Sequence, residues 1–269
     1  MHGLTEAGVK AAVRDDLVLE AAVREELVAI MPLEHTPAHL RLAFHDAGTY
    51  DARTGTGGAH ASVRLPERLR RGELWGWGPA CIDLLGEVKT RYPDVSWADL
   101  VMLGGAAAVQ RARGPLFEVG LGRTDADTAP PPHRLPGGYE SATLLKTVFA
   151  RMGLGPRELV ALSGAHTLGF AQRRPFTPEP WVFSNAYFRQ LLSGPVDHML
   201  ITDQVLLGDP ELRPLVELYA ADASRFFGDF IWAYRRLSWL GNDASRTPQA
   251  WWTATTSHRT AAGVPLSAT

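Results

Sequence analysis

Apolar residues recur at helical spacing along most of the chain. The segment 96–112, SWADLVMLGGAAAVQRA, opens with a serine, has a carboxylate three residues later and is then apolar on nearly every side. A capping box before such a run predicts a helix buried at the centre of a domain. The same period appears in segments 81–92, 141–153, 155–164, 209–221 and 221–241. The pattern therefore predicts an all-α protein.

Two long segments break this pattern, at 51–67 and at 120–138. Both are rich in glycine, proline and aspartate, which favour turns. Loops of this length inside a compact helical protein are usually functional or disordered. We expect a single domain over residues 1–269 with two helical lobes, about 1–135 and about 136–245, a site between them and a C-terminal tail at about 246–269.

Four polar residues stand out against their apolar surroundings. Arg41 and His45 lie four positions apart in RLAFHDAGTY, so a helix turns both towards one side. His166 stands at the end of the apolar helix in ELVALSGAHTLGF, and Asp203 lies in the apolar stretch ITDQVLL. Each alone is more often a paired or buried structural group. Together they are candidates for one functional site.

Charge, cysteine content and hydropathy exclude several classes of protein. A formal net charge of −2 lacks the basic excess of a general nucleic-acid binder. The single cysteine, Cys81, cannot build a disulfide framework and fits a reducing compartment. No apolar run reaches the ~20 residues of a membrane span, and the N-terminal stretch is unlike a signal or transit peptide. We expect no nucleic-acid partner, no membrane span, and a place in the cytoplasm or an organelle interior, the plastid stroma included if a transit peptide has been removed.

Several motifs occur in a fixed order between about residues 30 and 240: LRLAFHDAGT, VSWADL, LGRTDA, RLP and VALSGAHTLG. In this order they resemble the plant, fungal and bacterial haem-peroxidase superfamily, and most of all its intracellular class, which contains the ascorbate peroxidases. Within that class the chain is most similar to the ascorbate-peroxidase-related proteins of photosynthetic organisms, which also have phenylalanine at the position of Phe44.

The resemblance implies the haem-peroxidase fold, with haem b between the two lobes and His166 as the axial ligand of its iron. Asp203 would accept a hydrogen bond from the other ring nitrogen and make the imidazole more electron-donating. Ser163, Arg173 and Arg174 are the further candidates for cofactor binding. The two arginines also lie close to the position where ascorbate peroxidases carry an arginine that binds the electron donor.

On the other side of the haem, the resemblance implies that His45 acts on hydrogen peroxide as general base and then as general acid. Arg41 would stabilise the charge that develops as the O–O bond breaks. The products would be water and an oxyferryl haem, which a small organic donor, ascorbate or a phenol, reduces. Trp181 resembles the proximal tryptophan of intracellular peroxidases in position, and either carries the second oxidising equivalent or is a packing aromatic.

Some positions depart from the family pattern. Phe44 replaces a tryptophan that bifunctional catalase-peroxidases need, so we expect little catalase activity. The asparagine that orients the distal histidine has no counterpart, and Glu67 and Glu73 are two alternatives for its role. Leu33 and Pro175 stand where ascorbate peroxidases have a lysine and an arginine at the donor site. We therefore expect weak binding of ascorbate.

The cation sites of the superfamily are also incomplete. Asp46 keeps one carboxylate of the distal site, but His60 replaces another. On the proximal side Ser184 stands where an aspartate is usual, which leaves Thr167. Calcium needs several oxygen ligands, so we expect no structural calcium or potassium.

Three alternatives to an active peroxidase remain. The first is a catalytically weak haem-binding relic or sensor that keeps the peroxidase fold. The second is a haem-free helical interaction module. A serine hydrolase built on LSGAH has the least support, because Ser163 is not in a strand–turn–helix elbow. The presence of Arg41, His45, His166 and Asp203 together favours the peroxidase. The oligomeric state is left open.

Overall fold

The structure, a computed structural model, describes residues 6–74, 76–171, 173–193 and 199–246. Its α-helices in these ranges are α1 (Glu6–Ile30), α2 (Thr36–Ala47), α3 (Pro66–Leu69), α4 (Gly78–Arg91), α5 (Trp97–Arg111), α6 (Ala142–Arg151), α7 (Pro156–Ser163), α8 (Ala186–Ser193), α9 (Ile201–Gln204), α10 (Arg213–Ala221) and α11 (Ala223–Ser238). Strands β1 (Phe170–Ala171) and β2 (Arg174–Pro175) form a short antiparallel hairpin. The predicted all-α class is confirmed.

Helix α5 is the buried centre of the first half, as its apolar pattern predicted. Its residues from Ala98 to Val109 are all buried, and it packs against α1 and α2. Ser96 caps it by accepting a hydrogen bond from the backbone of Asp99 at 3.0 Å. The carboxylate of Asp99 does not complete the capping box. It accepts from the buried guanidinium of Arg123 at 2.7 Å and so fixes the long loop against α5.

The second half of the chain packs around aromatic rings. Helix α7 lies against α11, and α8 lies against α10. The rings that meet between these helices are Phe183, Phe188, Tyr219, Phe226 and Phe230. Large buried rings contribute much of the apolar area that stabilises a core. This half is therefore held chiefly by aromatic packing.

Helix α11 connects the two halves. The hydroxyl of Tyr234 donates to the carbonyl of Met102 in α5 at 2.9 Å. Just beyond the helix, the indole of Trp239 donates to the carbonyl of Val119 at 2.8 Å.

Cys81 is a buried free thiol in α4. No helix of the described ranges has both the length and the apolar character needed to cross a membrane.

Two helix ends differ from the sequence prediction. The helix expected from Asp209 begins at Arg213, because the Asp209 carboxylate accepts backbone hydrogen bonds from Glu211 and Leu212 in the preceding turn. Helix α7 ends before His166, which lies in the 3₁₀ turn Gly164–Thr167.

The ring of Phe226 packs directly on this turn. A Cβ at Gly164 would come within 2.4 Å of that ring, so glycine permits the close approach. The turn that carries His166 is thus positioned by α11.

Candidate active site

A cavity of about 520 Å³ lies between α2 and the segment that follows α7. Arg41, His45, His166 and Asp203 are all among its lining residues. Its walls are otherwise mostly apolar and include Phe44, Leu145, Phe149, Leu162, Leu168, Phe176 and Phe230. The structure therefore brings together the four polar residues that the sequence singled out, although they lie on three separate elements: α2, the turn after α7, and α9.

His166 is held by Asp203 on the proximal side. Its Nδ1 lies 2.8 Å from Oδ1 of Asp203. A carboxylate accepts hydrogen bonds, so Nδ1 carries a proton, and in the neutral ring Nε2 keeps a free lone pair. The His166 side chain is 36% exposed, whereas that of Asp203 is 2% exposed. The imidazole thus faces the cavity in the tautomer that a metal ligand needs.

Asp203 is fixed by two further donors. The hydroxyl of Tyr187 donates to the same Oδ1 at 2.7 Å, and the backbone N–H of Leu200 donates to Oδ2 at 3.1 Å. Tyr187 is completely buried on α8. Sequence reasoning missed Tyr187, because the stretch SNAYF shows only a packing pattern and lies sixteen residues before Asp203.

The aromatic ring that stacks on His166 is Phe176. The two rings are parallel to within 1° and their centroids are 4.7 Å apart. Trp181 lines the cavity and packs against Phe170, with ring centroids 5.2 Å apart. The electron-carrying role considered for Trp181 stays a prediction, and Phe176 is an additional site residue that the sequence did not indicate.

His45 faces the cavity from α2. Nε of Arg41 donates to Nε2 of His45 at 3.1 Å, so the lone pair of the neutral ring is on Nε2 and its proton on Nδ1. In the described part of the chain, Nδ1 has no hydrogen-bond partner. Burial, together with the positive charges of Arg41 and Arg68, lowers the pKa of His45 well below its ordinary value. The ring is therefore a neutral base at physiological pH.

Neither glutamate considered for orienting His45 does so. Glu67 accepts from the backbone N–H of Ala129 at 2.9 Å, and Glu73 forms an ion pair with Arg68 at 2.8 Å. Arg68 also donates to the backbone carbonyl of His45 at 2.8 Å. This arginine, which sequence reasoning missed, fixes the backbone of His45 and leaves its ring nitrogen unbound.

Trp77 is a further side chain of the distal wall. Its ring meets His45 edge-on at 5.6 Å, and the guanidinium carbon of Arg41 lies 5.2 Å from its centroid. A cation over an indole face is attracted by the ring's quadrupole. The Phe44 ring also lies edge-on to His45, with ring centroids 6.4 Å apart. The two aromatic rings therefore pack around His45, whose ring is also held by the hydrogen bond from Arg41.

The other cofactor candidates are less central. Ser163 lines the cavity, but its hydroxyl donates to the carbonyl of Leu159 within α7 at 2.9 Å. Arg173 and Arg174 are exposed on the β1–β2 hairpin and are not among the described residues that line the cavity. Their predicted roles stay predictions.

Two exposed residues of the cavity lining, Glu34 just before α2 and Phe170 on this hairpin, mark a part of the lining that we call the rim. A Cβ at Gly169 would come within 2.9 Å of Pro37. Glu34 is exposed and lines the cavity beside Pro37, Phe170 and Trp181. Among these four lining residues Glu34 is the charged one; the two arginines lie on the same hairpin but are not among the described lining residues. Leu33 and Pro175, the two replaced donor positions, lie in the segments that form this rim.

The carboxylate of Asp46 is occupied by the protein itself. It is fully buried and accepts from Ala61 N at 2.6 Å, Ser62 Oγ at 3.1 Å and Val63 N at 3.3 Å. His60 lies on the same loop, and its Nδ1 is 2.9 Å from the carbonyl of Thr124. Within the described ranges, no group of three or more histidine, cysteine, aspartate or glutamate residues could hold a metal ion.

Comparison with known proteins agrees with the geometry of the cavity. The chain matches the peroxidase family over residues 18–222. It is 44% identical over 237 residues to "L-ascorbate peroxidase 5, peroxisomal" of Arabidopsis thaliana, a match that covers 84% of each chain. It is 45% identical over 213 residues to "Probable L-ascorbate peroxidase 4, peroxisomal" of Oryza sativa subsp. japonica, with 76% of this chain and 73% of that protein covered. It is 41% identical over 213 residues to "L-ascorbate peroxidase 2, cytosolic" of Arabidopsis thaliana, with 76% and 84% covered. The chain therefore belongs to the peroxidase family, as a haem peroxidase similar to the ascorbate peroxidases.

Proposed function

We propose that the chain reduces hydrogen peroxide to water with haem b in its central cavity and a small organic molecule as electron donor. One observation carries the proposal: two histidines line one cavity, each in the tautomer that its role requires. His166 keeps a free Nε2 because Asp203 accepts from its Nδ1, and His45 keeps a basic Nε2 because Arg41 donates to it.

The residues present fit haem b. A cavity of about 520 Å³ with mostly apolar walls suits a large planar ring, and the Nε2 of His166 is available to the iron. Bound haem supplies the iron at which peroxide binds and the electrons that cleave its O–O bond. The family resemblance implied that hydrogen peroxide is reduced by two electrons in one step, and this is part of the proposal.

The distal side chains handle the protons and the charge. Neutral His45 takes a proton from peroxide at Nε2 and returns it to the departing oxygen, which leaves as water. Arg41 is always cationic and stabilises the negative charge that develops as the bond breaks. The hydrogen bond from Arg41 occupies Nε2 of His45, which is the atom that takes the proton. Arg41 must therefore move slightly away from Nε2 when peroxide enters. The exposure of the Arg41 side chain to the cavity gives it room.

The names of the relatives support ascorbate as one electron donor, and phenols are the other class that we include. The same names, peroxisomal and cytosolic, support a place in the cytoplasm or an organelle interior. The three hydrogen bonds that the Asp46 carboxylate accepts from the protein itself support the absence of a distal structural cation. The alternative, a relic or sensor, keeps the fold and the haem but would turn over slowly.

The proposal is tested by haem titration and peroxide kinetics. We expect the wild type to take up haem stoichiometrically, and His166→Ala to lose the haem or to bind it with a different spectrum. The matched control is His133→Asn, which removes an exposed loop histidine and places asparagine in a left-handed backbone that it tolerates. A normal haem spectrum with full activity in His166→Ala would refute the assignment. A normal haem spectrum without turnover in the wild type would favour the relic or sensor.

A further inference from the structure

One oxygen atom of Asp203 receives two side-chain hydrogen bonds. Nδ1 of His166 donates to Oδ1 at 2.8 Å, and the hydroxyl of Tyr187 donates to the same atom at 2.7 Å. Tyr187 has no exposed surface and meets the His166 ring edge-on, with centroids 5.9 Å apart. The hydroxyl is thus built into the environment of the iron ligand without touching the cavity.

A second donor changes what the carboxylate does to the imidazole. Each donor to Oδ1 takes up part of its negative charge, so a shared oxygen is a weaker acceptor for His166 than an unshared one. Burial and the Asp203 carboxylate raise the pKa of Tyr187 well above its ordinary value, so the phenol keeps its proton and remains a donor. The effect is therefore permanent at physiological pH.

We propose that Tyr187 is a positioning residue that sets the reduction potential of the haem by competing with His166 for Oδ1 of Asp203. The inference rests on the proposed function, because it takes His166 as the iron ligand. A less polarised imidazole donates less electron density, which favours the reduced iron. The hydroxyl of Tyr187 thus raises the potential, whereas the carboxylate of Asp203 lowers it.

The test is spectroelectrochemistry of the haem-loaded protein and two variants of this network. Tyr187→Phe releases Oδ1 to His166 alone, so we expect the Fe(III)/Fe(II) potential to fall below that of the wild type. Asp203→Asn weakens the acceptor, so we expect the potential to rise above it. Opposite shifts from two changes around one oxygen atom would not follow from a general loss of packing.

The matched control is Tyr219→Phe. Tyr219 is also completely buried, and its hydroxyl donates to a carboxylate, Oδ2 of Asp229, at 2.7 Å. It does not line the cavity. We expect this variant to lose comparable thermal stability and to keep the wild-type potential. An unchanged or higher potential in Tyr187→Phe would overturn the inference.

Two further readouts keep the outcome decisive. If Tyr187→Phe does not fold, nuclear magnetic resonance of the haem-loaded wild type in its diamagnetic ferrous carbon-monoxide form decides: a slowly exchanging Tyr187 hydroxyl proton with a nuclear Overhauser effect to the His166 ring supports the inference, and its absence overturns it. If His166→Ala keeps a normal haem spectrum, the proposed function fails instead. The two failures are therefore distinguishable.

Discussion

The two histidines of the cavity are held in opposite ways. His166 is fixed through Asp203, whose carboxylate accepts from Tyr187 and Leu200 as well. His45 is held by Arg41 at one nitrogen and by ring packing, and in the described chain its other nitrogen has no partner. On one side of the cavity a hydrogen-bond network holds the histidine, whereas on the other side ring packing holds it for the most part.

The charges around the two rings explain the difference. An anion beside His166 increases its electron donation, which suits an axial ligand. An anion beside His45 would raise its pKa and favour the cation, which cannot accept a proton. Instead, two arginines and burial lower that pKa. Two chemically identical side chains thus receive different roles from the sign of the nearest charge.

The largest expected effect comes from removing the base of the distal side. His45→Ala should slow the reaction with hydrogen peroxide by ~10²–10⁴-fold, while the haem spectrum stays near that of the wild type because His166 is untouched. Stopped-flow absorption measures both. His133→Asn serves as the control. A rate within tenfold of the wild type, about 1.4 kcal/mol of barrier, would show that His45 is not the base.

His39, a second buried histidine on α2, should make the folded protein less stable in acid. His39 is 1% exposed and, among the described residues, neither ring nitrogen has a partner. Burial, and to a lesser extent the charge of His35, lowers its pKa to about 4. The unfolded chain therefore binds more protons once the pH falls below about 6.5, and stability is lost from there down to about 4.

This loss amounts to about 2 kcal/mol of unfolding free energy between about pH 7 and about pH 4.5. His39→Leu should abolish that part of the pH dependence, as measured by urea denaturation at the two pH values. His133→Asn should keep it. An identical pH dependence in His39→Leu and the wild type would show that His39 does not titrate in this range.

The rim of the cavity should disfavour anionic donors. Leu33 and Pro175 cannot form the charge-assisted hydrogen bonds, worth about 1.5–3 kcal/mol each, that an ascorbate anion would need, and Glu34 at the rim repels it. We expect at least about tenfold weaker binding than in a site with both cations, and turnover of a guaiacol-type phenol that equals or exceeds that of ascorbate. Steady-state rates at fixed peroxide compare them. Glu34→Gln should increase the turnover of ascorbate more than that of the phenol. Saturation of the wild type by submillimolar ascorbate would contradict this prediction.

The smallest effect is expected at Trp77. Trp77→Leu removes the ring beneath Arg41, a contact worth about 0.5–1 kcal/mol, so the peroxide reaction should slow by about two- to fivefold. Trp97→Leu changes a tryptophan outside the cavity lining and should leave the rate unchanged. A Trp77 variant with wild-type kinetics would show that ring packing does not position the distal pair.

The sequence predicted those features that repeat or that carry a local motif. Helical spacing identified α5 and its cap, and the spacing of Arg41 and His45 placed both on one helix face. The partner of His166 could be named only through the family resemblance, because Asp203 lies 37 residues away.

Contacts between distant segments could not be predicted. Tyr187, Phe176, Arg68 and Trp77 acquire their roles through packing, and each is an ordinary core or surface residue in its local sequence. The helix start at Asp209 was wrong for a related reason: aspartate and proline begin turns as readily as helices. The sequence shows which groups are chemically capable, and the tertiary contacts decide which of them meet.

The burial of the single cysteine protects the protein from its own substrate. Burial raises the pKa of Cys81 to about 12, so almost no thiolate exists at neutral pH, and the thiolate is the form that peroxide oxidises to sulfenic acid. The buried thiol is also unable to reach a second chain to form a disulfide. Repeated exposure to peroxide should therefore leave the thiol reduced, and any loss of activity during turnover would have to begin elsewhere in the protein.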